Sequence, residues 1–259
     1  MTERERERPS KVPAVTLGFW TIKILATTLG ETGGDTVSMT MDLGYLVGTA
    51  IFVALLVALV AWQIRASCFH PFLYWGTIIA STTAGTTMAD YATRSLGIGY
   101  TGGSALLLAL VLASLAAWYW TLGSIAVDSV RTAKTELFYW VTITFSQTLG
   151  TALGDWAADD GGLGYGGAAL VFAAGLGVLA ALYFRSRVDR VALFWAAFIL
   201  TRPLGATVGD FLDKPRLQGG LEFSRPFASA VLAVVIVALI LILPQRPAQR
   251  GHRSSGDAG

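Results

Sequence analysis

One pattern recurs four times along the 259-residue chain and limits what the chain can fold into. An aromatic residue precedes Trp, a Gly follows ten residues after that Trp, and an Asp follows five residues later. The segments align without a gap: FWTIKILATTLGETGGD (19–35), YWGTIIASTTAGTTMAD (74–90), YWVTITFSQTLGTALGD (139–155) and FWAAFILTRPLGATVGD (194–210). Self-similarity of this kind is the signature of repeated supersecondary units. The chain is therefore predicted to contain four copies of one unit.

The motif glycines indicate how the copies arose. Gly30, Gly85, Gly150 and Gly205 are separated by 55, 65 and 55 residues, which suggests a duplicated two-unit block with extra residues near 123–136. A glycine-rich stretch follows each Asp: LGYLVG at Leu43, LGIGYTGG at Leu96, LGYGG at Leu163 and the degenerate LQGGLEF at Leu217. Each unit is therefore predicted to be a helix, a glycine-rich loop and a second helix.

Composition places these helices in a membrane. Hydrophobic residues make up 54% of the chain and charged residues 14%, and the mean hydropathy is +0.58, whereas soluble domains are about 25% charged. Apolar runs at 47–61, 105–120, 168–184 and 227–243 approach the roughly 20 residues that a bilayer requires. The predicted fold is an all-α polytopic membrane protein with eight transmembrane helices, in four parallel two-helix repeats that are pseudo-symmetric about the membrane normal.

The predicted boundaries follow the repeats. Helices are expected at 15–36, 45–64, 72–91, 103–123, 137–156, 166–184, 191–211 and 225–243. The chain is divided into a cytoplasmic tail (1–14), repeats 1 to 4 (15–64, 65–123, 137–184 and 185–243), a cytoplasmic loop between repeats 2 and 3 (124–136) and a disordered cytoplasmic tail (244–259).

Charge sets the expected orientation. The tails and the loops after helices two, four and six hold 13 Lys and Arg residues, and the opposite loops hold 4, namely Arg94, Lys214, Arg216 and Arg225. Because cytoplasmic loops carry the excess of Lys and Arg, both termini are predicted to face the cytoplasm. The start of the chain lacks the apolar core of a secretory signal. The expected location is the bacterial cytoplasmic (inner) membrane.

The motif helices present acids and threonines at fixed offsets. Residues four and seven positions before each Asp share its helix face, and in three units these are Thr or Glu, whereas the fourth unit has Ala206 and Pro203. A carboxylate in hydrocarbon costs about 2.5–3.5 kcal/mol, so such residues usually face a polar site. The predicted substrate- or ion-binding residues are Asp35, Asp90, Asp155, Asp210, Glu31, Thr28, Thr83, Thr86, Thr148 and Thr151.

Oxygen ligands of this kind suit Mg²⁺, Ca²⁺ or Mn²⁺. The expected metal ligands are the five carboxylates, Asp35, Asp90, Asp155, Asp210 and Glu31. Arg202 and Lys23 are assigned as charge-balancing residues. Two simpler interpretations stay open: the Asp residues merely end helices at the outer interface, and Lys23 extends to the inner interface, as long basic side chains do.

Other chemistry finds little support in the sequence. The single cysteine, Cys68, cannot form an internal disulfide, and His70 and His252 lie outside the motif region. Since no nucleophile and base stand together, an enzyme is not expected, and neither is a cofactor or a nucleic-acid partner. The expected partners are the lipid bilayer and a transported cation, with the oligomeric state open.

Two family resemblances follow from these motifs. The repeated W-x9-G-x4-D, with KILATTLGETGGD in its first copy, resembles a family of uncharacterised bacterial multi-pass membrane proteins with four such repeats, which implies a fold and no activity. The stretch from Glu31 to Thr36, ETGGDT, is similar to the E-x-G-D-(K/R)-(T/S) motif of Ca²⁺ and Mn²⁺ cation/proton exchangers, with one extra residue and no basic position. This similarity implies divalent cations.

The expected function is therefore transport of a small inorganic cation, Mn²⁺ or Mg²⁺, through an intramembrane cluster of Asp, Glu and Thr. Coupling to protons is expected because clustered carboxylates raise each other's pKa. Two alternatives stay open: a transporter of a small organic cation or metabolite, and a non-transporting structural or lipid-interacting membrane protein.

Overall fold

The computed structural model describes residues 10–248, and this part of the chain is helical, without a β-strand. The eight predicted helices are all present. They are α1 (Leu17–Asp35), α2 (Gly44–Arg65), α3 (Pro71–Asp90), α4 (Tyr100–Leu122), α5 (Ala133–Asp155), α6 (Gly164–Arg185), α7 (Arg190–Asp213) and α8 (Arg225–Ile242). The predictions for residues 1–9 and 249–259 lie outside the described residues.

Local sequence signals account for several helix ends. Thr16 caps α1 by accepting a hydrogen bond from the Phe19 backbone N–H, and Thr132 caps α5 through a reciprocal bond with Thr135. These caps satisfy backbone donors that a helix N-terminus leaves free. At the other end, the α-helical part of α1, α3 and α5 stops at the motif Asp and continues as one π-helical turn, at Thr36–Thr40, Tyr91–Ser95 and Trp156–Asp160.

The four motif helices form an inner ring. Helix α1 packs against α3 and α7, and α5 packs against the same two helices. The second helix of each unit packs on the motif helix of the next unit: α2 on α3, α4 on α5, α6 on α7, and α8 on α1. Because α8 returns to the first unit, the chain closes the ring.

The motif glycines allow the ring helices to approach closely. A Cβ on Gly30 would overlap Thr82 of α3, and one on Gly205 would overlap Thr27 of α1. Gly85 lies in the same way against Gln147, and Gly150 against Arg202. Small residues let helix backbones approach in this manner. Each motif glycine therefore contacts the residue three positions before the motif glycine of the next helix.

The outer helices are apolar and exposed. Among residues 10–248, five helices are long and apolar enough to cross a membrane: α2, α4, α6, α7 and α8. Helices α1, α3 and α5 fall outside this set because their Thr, Ser, Gly and acidic residues lower their hydropathy, although these residues are largely buried inside the ring. Four of the five are outer helices with exposed apolar faces, and α7 is the ring helix of the fourth unit. Together these helices indicate a membrane protein.

Aromatic side chains fill the end of the ring opposite the Asp residues. Phe19, Tyr74, Tyr139 and Phe194 are buried there with Trp75, Trp140 and Trp195, and the partly buried Trp20 packs against them. The Tyr74 and Tyr139 hydroxyls are 2.6 Å apart. Since the aromatic contacts lie at one end and the Asp contacts at the other, the four helices run parallel.

A short segment, which we call the N-terminal strap (residues 10–16), packs on this aromatic end. Val12 is 1% exposed and belongs to the aromatic cluster. The Lys11 ammonium lies 2.8 Å from the Glu136 carboxylate and donates to the carbonyls of Gln63 and Ile64. The strap therefore joins the end of α2 to the start of α5.

Candidate functional site

A row of residues spaced four apart runs along the inside of each ring helix. We number the resulting axial layers from the aromatic end. Every residue of layers 1 to 5 is buried. Layer 1 is Phe19, Tyr74, Tyr139 and Phe194; layer 2 is Lys23, Ile78, Ile143 and Phe198; layer 3 is Thr27, Thr82, Gln147 and Arg202; layer 4 is Glu31, Thr86, Thr151 and Ala206; layer 5 is Asp35, Asp90, Asp155 and Asp210.

The first and fourth units share a basic side chain in layer 5. The Lys214 ammonium lies 3.1 Å from an oxygen of Asp35 and 3.1 Å from an oxygen of Asp210. Arg225 at the start of α8 lies 2.8 Å from Asp213 and 3.7 Å from Asp35. One oxygen of each of Asp35, Asp210 and Asp213 lies within 4.8 Å of the other two. Three carboxylates therefore surround two cationic groups.

Electrostatics favour this arrangement. Lys214 follows the last residue of α7. Burial lowers its pKa, but the carboxylates of Asp210, Asp35 and Asp213 together outweigh burial and raise the pKa of Lys214 above its ordinary value. The ammonium is therefore held in its charged form by the acids around it.

The second and third units form a matching pair. Arg94 Nε lies 2.8 Å from Asp90 Oδ1, and Arg94 Nη2 lies 3.3 Å from Asp155 Oδ2. The Arg94 side chain is 32% exposed, whereas both carboxylates are almost fully buried. The four motif carboxylates are thus joined in two pairs, each by one basic residue that lies four positions after the Asp of an even-numbered unit.

Arg202 connects all four ring helices in the centre of the bundle. Its Nη2 donates to Glu31 Oε2 of α1 at 3.0 Å, to Thr86 Oγ1 of α3 at 2.6 Å and to Thr151 Oγ1 of α5 at 2.5 Å. Arg202 is 0% exposed. Helix α7 has Ala206 in layer 4 and therefore no polar side chain there. Its Arg202, in layer 3, instead reaches the layer-4 side chains of the other three helices.

Two other polar residues lie deeper in the ring. Lys23 is fully buried, donates to Thr201 Oγ1 at 3.3 Å and lies 3.9 Å from the centre of the Phe198 ring. Gln147 is also fully buried, and neither its Nε2 nor its Oε1 has a hydrogen-bond partner within residues 10–248. The same is true of Arg202 Nε and Nη1.

The threonines seven positions before the Asp residues behave differently from those four before. Thr28, Thr83 and Thr148 are buried, but each hydroxyl donates to a carbonyl four residues earlier in its own helix. Thr86 and Thr151 contact Arg202, and Thr86 Oγ1 also lies 3.1 Å from the Thr82 carbonyl of its own helix and 3.3 Å from Glu31 Oε2. The structure thus brings Glu31, Thr86, Thr151 and Arg202 together, and joins the Asp residues in pairs.

Four site residues were missed in the sequence. Asp213 is not among the predicted site residues, yet it is buried at the end of α7 beside Arg225. Arg94, Lys214 and Arg225 were counted only as loop charges. A signal was present for two of them, since Arg94 and Lys214 both follow a motif Asp by four residues, the spacing of neighbours on a helix.

A family model supports the repeat architecture. Four copies of the family described as Repeat of Unknown Function (DUF347) match residues 18–68, 73–124, 138–189 and 193–244. These matches cover most of the chain, which therefore belongs to this family of repeat proteins. The predicted internal repeats are confirmed. No curated protein and no solved structure matches the chain significantly.

Proposed function

We propose that this protein is a membrane transporter of a small inorganic cation, and that the paired carboxylates of layer 5 bind the cation. A divalent ion, Mn²⁺ or Mg²⁺, fits best. In this proposal all eight helices cross the bacterial cytoplasmic membrane as four parallel repeats, pseudo-symmetric about the membrane normal, with both termini in the cytoplasm. The polar ring helices cross because the apolar outer helices separate them from lipid.

The observation that carries the proposal is the excess of buried carboxylates over bases in layer 5 and the neighbouring Asp213. Asp90 and Asp155 share Arg94, while Asp35, Asp210 and Asp213 share Lys214 and Arg225. Each group is one positive charge short. Buried charges are costly unless they are paired, so a cation entering either group gains the attraction of carboxylates that are already desolvated.

The spacing of the second group suits a metal ion. The oxygens of Asp35, Asp210 and Asp213 lie within 4.8 Å of one another. Oxygens on opposite sides of Ca²⁺ are about 4.6–5.2 Å apart, and around Mg²⁺ about 4 Å, from the usual bond lengths. Small movements of three side chains would thus complete the ligand set once the Lys214 ammonium withdraws from its position between Asp35 and Asp210.

Lys214 and Arg94 act in this proposal as internal counter-ions of the empty transporter. Both lie just beyond α-helical segments that end near the motif Asp, so their side chains can leave without unfolding a helix. Protons compete with the metal for the same carboxylate oxygens, which gives a physical basis for proton coupling. The Arg202 guanidinium on the axis repels cations, and this favours alternating access over an open pore.

The test is Mn²⁺ and Mg²⁺ uptake into proteoliposomes containing the full chain. Asp155→Asn keeps the shape of the side chain and removes its charge, so we expect the initial rate to fall about tenfold or more, which corresponds to about 1.4 kcal/mol. Asp160→Asn is the matched control, because Asp160 lies in the same unit and is exposed. Its rate should stay at the wild-type value.

Two results would contradict the proposal. One is a wild-type protein that moves neither ion across a membrane under a concentration or pH gradient. The other is equal uptake by wild type, Asp155→Asn and Asp35→Asn, since these two substitutions together remove a ligand from each carboxylate group.

A further inference from the structure

We propose that the ring holds a second site, for a small monovalent anion, bounded by Lys23, Gln147 and Arg202 in layers 2 and 3. This site lies on the aromatic side of Glu31 and is separate from the carboxylates of layer 5. It does not rest on the proposed cation transport. Its ligand class is an inorganic ion such as chloride, bromide or nitrate.

The first argument is charge. Lys23 and Arg202 are both 0% exposed. Within residues 10–248, Glu31 is the only carboxylate that an ion pair joins to either of them. Lys23 has a hydroxyl and an aromatic ring as neighbours, at 3.3 Å and 3.9 Å, and no carboxylate in contact. Because a buried charge without a counter-ion is costly, a protonated Lys23 would be stabilised by one negative charge beside it.

The second argument is the set of unused donors. Only Nη2 of Arg202 donates to protein acceptors, and its Nε and Nη1 lack partners among the described side chains and backbone. Gln147 Nε2 is equally unpartnered. Leaving a buried donor unsatisfied costs about 1–3 kcal/mol, and three such groups in one layer are unusual in a folded protein. An anion accepts from all of them.

The third argument is convergence on the axis. Arg202 reaches the other three ring helices, so its guanidinium lies in the middle of the ring. Gln147 stands in the same layer on α5, which packs against α7, and Lys23 stands one layer away on α1, which also packs against α7. Guanidinium, ammonium and amide groups from three ring helices thus lie in two adjacent layers of the ring.

The size and charge of the ligand follow from the surroundings. A protonated Lys23 and Arg202 exceed Glu31 by one positive charge, which one monovalent ion balances and a divalent oxyanion would exceed. Ile78, Ile143 and Phe198 complete layer 2 and are fully buried, so apolar side chains close the ring beyond the donors. A large organic anion such as gluconate does not fit this description.

The experiment measures thermal unfolding of the purified full-length protein in detergent. Chloride replaces gluconate at constant ionic strength, with choline as the only cation, so that the carboxylate groups of layer 5 receive no metal. We expect the melting temperature to rise saturably with chloride, because a ligand of the folded state stabilises it. Bromide and nitrate should act in the same way, and gluconate should not.

Two variants keep the test specific. Lys23→Met removes the ammonium and keeps a side chain of similar length, and Gln147→Leu removes the amide without changing any charge. Both should weaken chloride binding and so raise the half-saturating chloride concentration by about tenfold or more. Lys134→Met removes one exposed lysine, and its chloride dependence should equal that of the wild type.

The outcomes separate this site from the proposed transport. The anion site would be overturned by a melting temperature that does not change with chloride, or by a chloride effect that Lys23→Met and Gln147→Leu both retain. Neither result bears on cation uptake. Conversely, a chloride effect lost in these variants stands even if Asp155→Asn does not alter uptake of Mn²⁺ or Mg²⁺.

Discussion

At the scale of single residues, the motif glycine determines how closely two ring helices approach. Gly30 faces the Thr82 side chain and backbone, whereas Gly33, one turn further along α1, has no atom within 4 Å of an added Cβ. The two glycines share one helix and differ only in what they face. This contrast separates packing against a neighbour from intrinsic helix propensity.

We expect Gly30→Ala and Gly33→Ala to have opposite effects. Gly30→Ala should lower the free energy of unfolding by about 1–3 kcal/mol, since a methyl group forced into a packed interface shifts backbone or side chains. Gly33→Ala should be neutral or stabilising by up to about 1 kcal/mol, because Ala favours a helix over Gly. The melting temperatures of both variants in detergent decide this, and equal destabilisation would contradict the close-packing role of Gly30.

The sequence predicts the site residues only in part, for a geometric reason. Counting four back from each Asp identifies Glu31, Thr86 and Thr151, which contact Arg202. Counting seven back identifies threonines that bond to their own helix. Rows of residues four apart are inclined by about 26° to a helix axis, so the residues that face the bundle axis depend on how each helix is oriented in the ring. That orientation comes from packing against the other helices, and one helix does not encode it.

At the scale of elements, the N-terminal strap is held by a buried ion pair. The Lys11 and Glu136 side chains are 8% and 1% exposed, and their charged atoms are 2.8 Å apart. The backbone of the strap adds bonds from Lys11 to Val130 and from Ala14 to Arg246. One short segment therefore connects α2, the loop before α5 and the segment after α8.

Lys11→Met should release this strap. The substitution leaves Glu136 buried without its cation, and breaking a buried pair in this way costs about 3–5 kcal/mol. We expect faster hydrogen exchange at the backbone amides of residues 11 and 14, together with a lower melting temperature. Lys134→Met, an exposed substitution nearby in sequence, is the control, and slow exchange retained in Lys11→Met would contradict the role of the ion pair.

Helix positions are the best-predicted elements, because the aromatic-Trp start and the Asp end recur in every copy. The ends were less predictable. Helix α7 continues to Asp213, past the Asp at which α1, α3 and α5 change to a π-helical turn. That extension places Asp213 and Lys214 beside Asp35 and Arg225. Asp35 belongs to the first unit and Lys214 to the fourth, so only the folded ring defines this contact.

At the scale of the whole molecule, the contacts follow a cycle in which each unit packs on the next and the fourth packs on the first. The basic residue four after the Asp breaks this cycle into two halves, because only the second and fourth units carry one. The carboxylates consequently pair as Asp90 with Asp155 and Asp35 with Asp210. A duplicated two-unit block, inferred from the 55- and 65-residue spacings, accounts for both features.

The proposed orientation of the whole molecule can be tested with the single cysteine. Cys68 is exposed between α2 and α3, on the side that the Lys and Arg distribution assigns to the cytoplasm. A membrane-impermeant maleimide should label it in inverted membrane vesicles and leave it unmodified in intact cells. The double variant Cys68→Ser with Ser95→Cys moves the thiol to an exposed position beside Arg94 and should reverse this pattern. Labelling of both proteins from the same side would mean that α3 does not cross the membrane, and the eight-span arrangement would fail with it.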